Sequence, residues 1–459
     1  MNKPATTHNR TAEWQAIDAR HHLQPFTNYR ELHERGARIV TRADGVYVWD
    51  SEGKKFLDGM AGLWCVNMGY GRKELQNAAT EQISELPYYN TFFQSSHPPA
   101  VELSEILAQV TPAGMNHVFF VNSGSEATDT VVRMVRHYWS VVGKASKQVI
   151  ISRHNAYHGS TMAAASLGGM GPMHAQGGLP IPGIEHIAQP YWYGEGGDLD
   201  PEQFGVQVAQ ALEDRIEHLG ADNVAAFIGE PIQGAGGVIV PPASYWPEIQ
   251  RICRKHDILL VSDEVICGFG RTGNWFGCET YGVQPDLMAM AKGLSSGYLP
   301  IGGVMLNDRV ADALVDSETE FQHGFTYSGH PVCCAVALAN VRLMRDEQVV
   351  ERVRDDIGPY FQARLEELNA LPIVGEVRGV GLIAGIQLAK DKQTRLRFEN
   401  KGEIASKVKA AAMDNGLIMR ATEDSMVLSP PLTISRSEVD ELIEAARASL
   451  QQTTVALGL

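Results

Sequence analysis

The sequence predicts an α/β fold, with a large domain built on a mostly parallel sheet between helices and a smaller α+β domain. Between about residue 100 and residue 310, short apolar segments alternate with segments of helical periodicity. Parallel strands are buried on both faces and therefore read as continuous apolar runs, which is what these segments show. After about residue 335 the pattern changes to long helices beside two short strands, which indicates a second domain.

The predicted central sheet contains six strands, and ligands of such sheets gather beyond the carboxyl ends of the strands. The strands are predicted at residues 117–121, 148–151, 224–228, 258–261, 287–291 and 302–306. Helices are predicted between them at residues 127–139, 204–219 and 245–256.

Both ends of the chain are predicted to build the smaller domain. Residues 1–20 are expected to form a mobile arm, and residues 46–57 a hairpin around a turn at 50–53. Helices are predicted at residues 75–86, 335–345, 349–368, 403–415 and 437–453, with strands near 374–377 and 382–388. The expected division is 1–75 for the arm and hairpin of the small domain, 76–332 for the large domain and 333–459 for the rest of the small domain.

The composition favours a folded protein that binds neither nucleic acid nor membranes. Hydrophobic residues make up 44% of the chain and charged residues 20%, which is enough to bury a sizeable core. The 54 acidic and 39 basic residues give a net charge of −15, which disfavours nucleic acid or anionic lipid as a partner. No apolar run reaches the roughly 18–20 residues of a membrane span. Residues 1–20 also lack the apolar core of a signal peptide.

The six cysteines are dispersed along the chain and form no C-x-x-C pair. This spacing matches neither a disulfide framework nor a zinc site. We therefore expect a reduced, cytoplasmic protein without a bound metal ion.

Lys292 stands at the end of a predicted buried strand and is followed at once by Gly293. A lysine in that place keeps its chain in apolar surroundings, and desolvation lowers its pKa, as a Schiff-base lysine requires. Taken alone, the segment fits better a lysine that merely ends a strand and reaches water. The residues at three other strand ends favour the Schiff-base interpretation.

A phosphate site is indicated after the first predicted strand, where Asn122-Ser123-Gly124-Ser125-Glu126 opens a helix. The free amides and the positive dipole end of a helix N-terminus suit a phosphate group. Ser123 and Glu126 also have the spacing of a capping box, so a well-capped helix explains these residues about as well.

Two further strand ends carry residues suited to a flat, cationic ring. Tyr157-His158-Gly159-Ser160 follows the second strand and suits a tight loop in which the tyrosine covers a cofactor. The ordinary explanation is a buried tyrosine in a loop. Asp263 ends the fourth strand, where a carboxylate is costly unless it meets a cation or a strong donor. A protonated pyridine nitrogen would serve, and so would an arginine.

Together, the four strand ends supply a phosphate cradle, a ring cover, a carboxylate and an amine, which are the contacts that pyridoxal phosphate needs. No single alternative explains all four, so we predict a pyridoxal phosphate site. The pattern G-x-G-x-x-G at residues 268–273 could instead suggest a dinucleotide site, but that motif must open a helix. Residues 274–277 lack helical periodicity, so residues 268–273 are expected to form a glycine-rich loop.

The chain resembles the class III aminotransferases of the pyridoxal-phosphate fold type I family over essentially its whole length. The resemblance is carried by the motifs Ser123–Glu126, Tyr157–Ser160, Glu230–Gly237, Asp263–Gly273, Lys292-Gly293 and His323–Pro331. Within the family, the chain is similar to the ω-aminotransferases that pass amino groups from amines to pyruvate. Residues 60–66 and 417–420 support that subgroup.

The resemblance implies a role for each site residue. Lys292 would carry the cofactor, Asp263 would face its pyridine nitrogen and Tyr157 would stack on its ring, and these three are the predicted catalytic residues. The other predicted cofactor-binding residues are Ser123, Gly124, Ser125, His158, Glu230, Val265, Phe325 and Thr326. In the family, Thr326 would reach the phosphate held by a partner subunit, so the resemblance implies an obligate homodimer.

The resemblance also implies a substrate pocket walled by Phe26, Trp64 and Phe92. Arg420 would pair with a substrate carboxylate and swing away for uncharged amines. Each residue keeps a simpler explanation. Arg420 could be a surface arginine, Trp64 and Phe92 could belong to the core, and Glu230 could be a structural carboxylate.

The implied activity is a ping-pong transamination from a primary amine to pyruvate, which releases an aldehyde or ketone and L-alanine. The ornithine and γ-aminobutyrate branches usually carry glutamine three residues after the aspartate, whereas this chain has Ile266, which favours an amine-type site. The donor stays open between diamines or polyamines such as putrescine, which we favour, β-alanine and aromatic amines. So does the choice between dimer and tetramer.

Other activities of the same scaffold are the alternatives: 2-oxoglutarate aminotransferases acting on ω-amino acids, aminomutases and decarboxylases. A transcription regulator with an aminotransferase-like domain would need a basic helix-turn-helix module. Neither the N-terminal arm nor the net charge of −15 offers one.

Overall fold

The computed structural model of the protein describes residues 10–458. Within this range the strands form three sheets. The strands are β1 Val40–Asp44, β2 Tyr47–Asp50, β3 Lys55–Asp58, β4 Met115–Val121, β5 Val149–Arg153, β6 Ile184–Ile187, β7 Val224–Gly229, β8 Leu259–Asp263, β9 Leu287–Met290, β10 Gly302–Asn307, β11 Val374–Val380, β12 Ile383–Leu388, β13 Leu417–Ile418, β14 Arg420–Thr422 and β15 Ser425–Leu428.

Helices cover the sheets and connect their strands. They are α1 Thr11–His21, α2 Tyr29–Arg35, α3 Ala61–Trp64, α4 Lys73–Glu85, α5 Pro98–Val110, α6 Gly124–Val141, α7 Met162–Leu167, α8 Gly171–His174, α9 Trp192–Glu195, α10 Pro201–Leu219, α11 Tyr245–Lys255, α12 Gly277–Thr280, α13 Asp308–Val315, α14 Pro331–Asp346, α15 Val349–Arg352, α16 Gly358–Glu366, α17 Glu403–Asp414 and α18 Arg436–Leu457. Short 3-10 helices lie at Ala221–Asn223, Lys292–Leu294 and Glu367–Ala370, and a π-helix at Val353–Ile357. None of the described helices is both long and apolar enough to cross a membrane.

The central sheet has the strand order β4-β10-β9-β8-β7-β5-β6. The strands from β9 to β6 in this order run parallel, and β10 runs antiparallel to both of its neighbours. The predicted α/β fold with a mostly parallel sheet is therefore confirmed, and all six predicted strands are present. Strand β6 was not predicted because Ile184 and Ile187 are its only apolar residues.

Side chains of the central strands alternate between two apolar clusters, one on each face of the sheet. Phe227 and Leu260 belong to one cluster, and Ile228 and Val261 belong to the other. Burying each such side chain stabilises the fold by about 1.5–3 kcal/mol. Because both faces of the sheet are covered, the strand ends are where its polar chemistry can lie.

One of the two smaller sheets joins both ends of the described chain. The predicted hairpin is confirmed as the antiparallel pair β2 and β3, and β13 from the C-terminal part pairs with β3 in parallel. The other small sheet has the order β11-β12-β15-β14. The predicted division of the chain into domains stays a prediction, and its boundary at residue 333 falls within α14.

Two expectations from the sequence are wrong in part. The expected mobile arm lies outside the described residues at positions 1–9, but Thr11–His21 is a helix held by a 2.9 Å bond from Gln15 Nε2 to the carbonyl of Ala37. Only Thr11 is buried in this helix, so the helix lacks the buried apolar stripe by which it could have been predicted from the sequence. The helix expected at residues 349–368 is interrupted by a π-helix just before Pro359, whose ring removes a backbone donor.

The glycine-rich segment at residues 268–273 is a loop, as predicted, because the next helix begins only at Gly277. Phe269, Gly270 and Gly273 have positive φ there. A dinucleotide motif would open a helix at this point instead.

Lys147 fastens the amino-terminal edge of the central sheet. Its buried ammonium group donates to the carbonyls of Ala221 at 2.8 Å, Asp257 at 2.9 Å and Val224 at 3.1 Å. Burial lowers the pKa of Lys147. These bonds tie the start of β7 to the segment before β8.

We expect Lys147→Met to lower the free energy of unfolding by about 1–3 kcal/mol, because buried carbonyls lose their donor. Chemical denaturation followed by fluorescence measures this change. Lys409→Met is the matched control, since Lys409 is exposed. Equal stability of the two variants would contradict the assigned role of Lys147.

Candidate active site

The carboxyl ends of β4, β5, β8 and β9 meet at one edge of the central sheet. β8 and β9 are neighbours in parallel register, with Asp263 opposite Ala289, so Lys292 follows close to Asp263. Contacts across the loops connect the remaining ends. The N–H of Ser160 donates to Oγ of Ser125 at 3.0 Å. The structure thus brings together the four strand ends that the sequence singled out.

Asp263 is 3% exposed and meets a histidine rather than an arginine. Nδ1 of His158 donates to its Oδ2 at 2.6 Å, and the N–H of Val265 donates to its Oδ1 at 3.1 Å. On the far side of the ring, Nε2 of His158 lies 3.1 Å from Oγ of Ser152. The carboxylate is therefore held in one orientation by partners on both oxygens, which satisfies a buried charge.

Lys292 directly follows the residue after β9 and has a left-handed backbone, with φ of +45°. Such a conformation is strained for a residue other than glycine, and strain of this kind clusters at functional sites. Burial lowers the pKa of Lys292, and the charge of Asp263 partly offsets that effect. A larger share of the amine is therefore neutral and nucleophilic near neutral pH than for an exposed lysine.

The N-terminus of α6 offers free amides beside this amine. Oγ of Ser123 accepts the N–H of Glu126 at 3.2 Å, which is one half of the predicted capping box. The carboxylate of Glu126 accepts from Asn122 instead of completing the box. The N–H groups of Gly124 and Ser125 have no acceptor within the helix. A side chain at Gly124 would lie 3.0 Å from Cγ1 of Val265, so only glycine leaves this approach open.

Glu230 is a buried carboxylate that holds two loops of the site. Its Oε1 accepts the N–H of Tyr157 at 3.1 Å, and its Oε2 accepts the N–H of Gly234 at 2.9 Å. Burial raises the pKa of Glu230. Because both oxygens accept backbone donors, its contacts are those of a structural carboxylate that places Tyr157.

Trp64 and Arg420 lie against each other near Lys292. The Arg420 guanidinium lies 4.9 Å from the centroid of the Trp64 ring, and Trp64 is 2% exposed. Burial lowers the pKa of Arg420, and the charge interaction with Tyr157 partly offsets that effect. Among the residues that the structure describes, no carboxylate pairs with Arg420, which leaves this cation available to an anionic ligand.

Phe26 covers Tyr157 from the solvent side. Its ring is 78% exposed and stands edge-on to the Tyr157 ring at 6.3 Å between centroids. An exposed aromatic ring over a site residue can shield the cleft from water without filling it.

Phe92, Phe325 and Thr326 lie on two segments that contact each other, at residues 88–93 and 323–329. The hydroxyl of Tyr88 donates to the carbonyl of Thr326 at 2.7 Å, and a side chain at Gly324 would meet the Phe92 ring. Phe325 packs edge-on against a histidine two residues before it. Within residues 10–458, no hydrogen bond or ring contact joins these three predicted residues to Lys292.

Several supporting residues were not predicted from the sequence. Ser152 braces His158, and Asp58 shapes the turn that carries Trp64 by accepting the N–H groups of Met60 and Gly62 at 3.1 and 2.6 Å. A polar residue inside an apolar strand, as at Ser152, and an aspartate at a strand end, as at Asp58, were available signals.

Comparisons with known proteins agree with this geometry. The family described as "Aminotransferase class-III" matches residues 30–450. The chain is 59% identical over 451 residues to the putrescine–pyruvate aminotransferase of Pseudomonas aeruginosa, covering 98% of each chain. The thermostable (S)-enantioselective ω-transaminase from Thermomicrobium roseum has a TM-score of 0.93 and 44% identity, covering 99% of this chain and 100% of the other.

The ω-transaminase from Pseudomonas jessenii, solved in complex with PMP, has a TM-score of 0.95 and 42% identity, covering 97% of this chain and 99% of the other. These matches extend over the sheet, the small sheets and all four strand ends. The resemblance drawn from the motifs is confirmed, and the chain belongs to the class III aminotransferases.

Proposed function

We propose that this aminotransferase uses pyridoxal 5′-phosphate to move the amino group of a primary amine to pyruvate, releasing an aldehyde or ketone and L-alanine. A diamine or polyamine is the favoured donor. The observation that carries the proposal is the position of the Lys292 amine, which shares one sheet edge with the Asp263–His158 pair and the free amides of Gly124 and Ser125. The similarity to a putrescine–pyruvate aminotransferase supports the choice of substrates.

The residues at this edge fit pyridoxal phosphate. The amides of Gly124 and Ser125 would hold the phosphate, and the Ser125 hydroxyl can add a donor because its oxygen already accepts from Ser160. Asp263 would face the ring nitrogen and Tyr157 would cover the ring. When bound, the cofactor supplies a carbonyl that condenses with amines and a ring that accepts electrons.

The side chains then divide the work of proton transfer and binding. The neutral amine Nζ of Lys292 would take the proton from the carbon beside the donor nitrogen, and in the half-reaction with pyruvate it would deliver a proton to the carbon that becomes the α-carbon of alanine. Oδ1 and Oδ2 of Asp263, fixed by His158 and Val265, would keep the ring nitrogen protonated. The Arg420 guanidinium binds the carboxylate of pyruvate, and Trp64 beneath it limits access by water.

We also infer a homodimer in which each subunit completes the site of its partner. Phe93 is 91% exposed, and Tyr327 is exposed beside Thr326. An exposed aromatic patch of this kind is typical of protein interfaces. In the dimer, Phe92, Phe325 and Thr326 would reach the cofactor of the partner subunit.

We infer that the enzyme works in the cytoplasm. All six cysteines are free thiols. Four of them, Cys253, Cys267, Cys278 and Cys334, are at most 2% exposed. Free thiols are typical of reducing compartments.

Lys292→Ala should lower the turnover of amine with pyruvate by about 10²–10⁴-fold or more, because the variant lacks both the attachment point and the proton carrier. Steady-state formation of alanine measures the loss. Borohydride reduction of the unaltered protein should fix the cofactor to Lys292, as peptide mapping will detect. Lys409→Ala serves as the control, and normal turnover by Lys292→Ala would end the proposal.

Arg420→Ala should raise KM for pyruvate by about 10–100-fold, the effect of losing a charged hydrogen-bond partner. Single-turnover experiments separate the half-reaction with pyruvate from the half-reaction with an amine donor that has no carboxylate. We expect the rate of the half-reaction with the amine to change far less, because this donor has no carboxylate for Arg420 to bind. Equal losses in both half-reactions would show that Arg420 does not recognise the acceptor.

A further inference from the structure

A cavity of about 370 Å³ lies beside the Lys292 cleft. Its walls come from the loop after β5, from the segment at residues 169–172 and from the turn between β14 and β15. Like the Lys292 cleft, it opens beyond the carboxyl ends of the central strands, which is where ligands of such sheets bind.

The cavity and the cleft share three walls. Asn155 lines the cavity, and two residues later Tyr157 belongs to the cleft. Met170 packs in the apolar cluster of Tyr157, while the glycines on either side of it line the cavity. Thr422 lines the cavity and lies on the same face of β14 as Arg420, about 7 Å along the strand. The cavity therefore lies next to the cleft, on the side formed by Tyr157, Met170 and Arg420.

Two polar side chains of the cavity have an oxygen without a donor. Asp424 is 2% exposed, and its Oδ1 accepts the N–H of Gly402 at 2.9 Å. Within residues 10–458, no donor reaches the other oxygen, Oδ2, or the hydroxyl of Thr422. A buried carboxylate oxygen is unfavourable without a donor, so this pair of acceptors favours a ligand that brings N–H groups.

The charges around the cavity favour a cation as that ligand. Glu423 is paired with Lys401 at 2.6 Å. Of the remaining charged side chains in the wall, Asp424 and Glu195 are acidic and Arg397 is basic. The Arg397 guanidinium lies over the ring of Tyr191, 5.6 Å from its centroid. With Glu195, Glu423 and Asp424 against Arg397 and Lys401, the charged side chains of the wall sum to a net charge of −1.

We propose that this cavity binds the distal ammonium group of a diamine or polyamine donor through Asp424 and Thr422. An alkylammonium carries three N–H donors and no acceptor, which matches two oxygens that accept no donor from residues 10–458. This inference rests on the proposed function and deepens it, because it assigns the donor class to particular residues. A monoamine of the same length would leave the cavity to water.

The test compares two donors of equal length, 1,4-diaminobutane and 1-aminobutane, with the cofactor-loaded enzyme and pyruvate. In Asp424→Asn the side chain keeps its shape and loses its charge. The ratio of kcat/KM for the diamine to kcat/KM for the monoamine should fall about tenfold or more. Thr422→Val should lower the same ratio by a smaller factor. Asp414→Asn, which removes an exposed aspartate, should leave the ratio as it is.

A binding measurement gives a second readout. The tertiary diamine 1,4-bis(dimethylamino)butane cannot condense with a carbonyl but carries two ammonium groups. By calorimetry it should bind the unaltered enzyme and bind Asp424→Asn at least tenfold more weakly. Thr422→Val provides the same comparison if Asp424→Asn does not fold.

An unchanged ratio in both variants, or equal binding of the tertiary diamine, would overturn the inference. Turnover of 1-aminobutane with pyruvate by the unaltered enzyme would still stand in that case, so the proposed function would survive. If the unaltered enzyme turned over neither amine, the proposed function would fail and take this inference with it.

Discussion

The 2.6 Å bond between Nδ1 of His158 and Oδ2 of Asp263 is the interaction on which the site depends. It lets a carboxylate stay buried at the end of β8, which is unfavourable without a strong partner. It also ties the loop after β5 to β8, two strands that are not neighbours in the sheet because β7 lies between them. Ser152 extends the same line from within β5. Once this bond is made, the loop that carries Tyr157 has little freedom left.

The polar chemistry of the site and the apolar sheet are consequences of one arrangement. Strands β7 and β8 are buried along their whole length, so charged groups can lie only where the strands stop. The backbone there is strained, with φ of +45° at Lys292 and +57° at Trp64. The packed sheet supplies the free energy that holds both residues in these conformations, which an isolated loop would abandon.

Features that depend on the local sequence pattern were predicted correctly. The six apolar strands and the polar residues after four of them could be predicted, because a buried strand must end before a charge can appear. β6 could not, since a short edge strand needs few apolar residues, and α1 could not, since its contacts are polar. Motifs indicated Phe92 and Thr326, but the contact between their two segments depends on long-range packing that no local pattern encodes.

Strand β14 is only three residues long, and Arg420 and Thr422 lie on the same face of it. Arg420 contacts Trp64 in the Lys292 cleft, whereas Thr422 lines the neighbouring cavity. Side chains of a strand alternate, so a slip of one residue would turn both away together. An insertion or deletion that shifted the pairing of β14 with β15 would thus displace both side chains at once. With the roles proposed for Arg420 and Thr422, acceptor and donor selectivity would then change together.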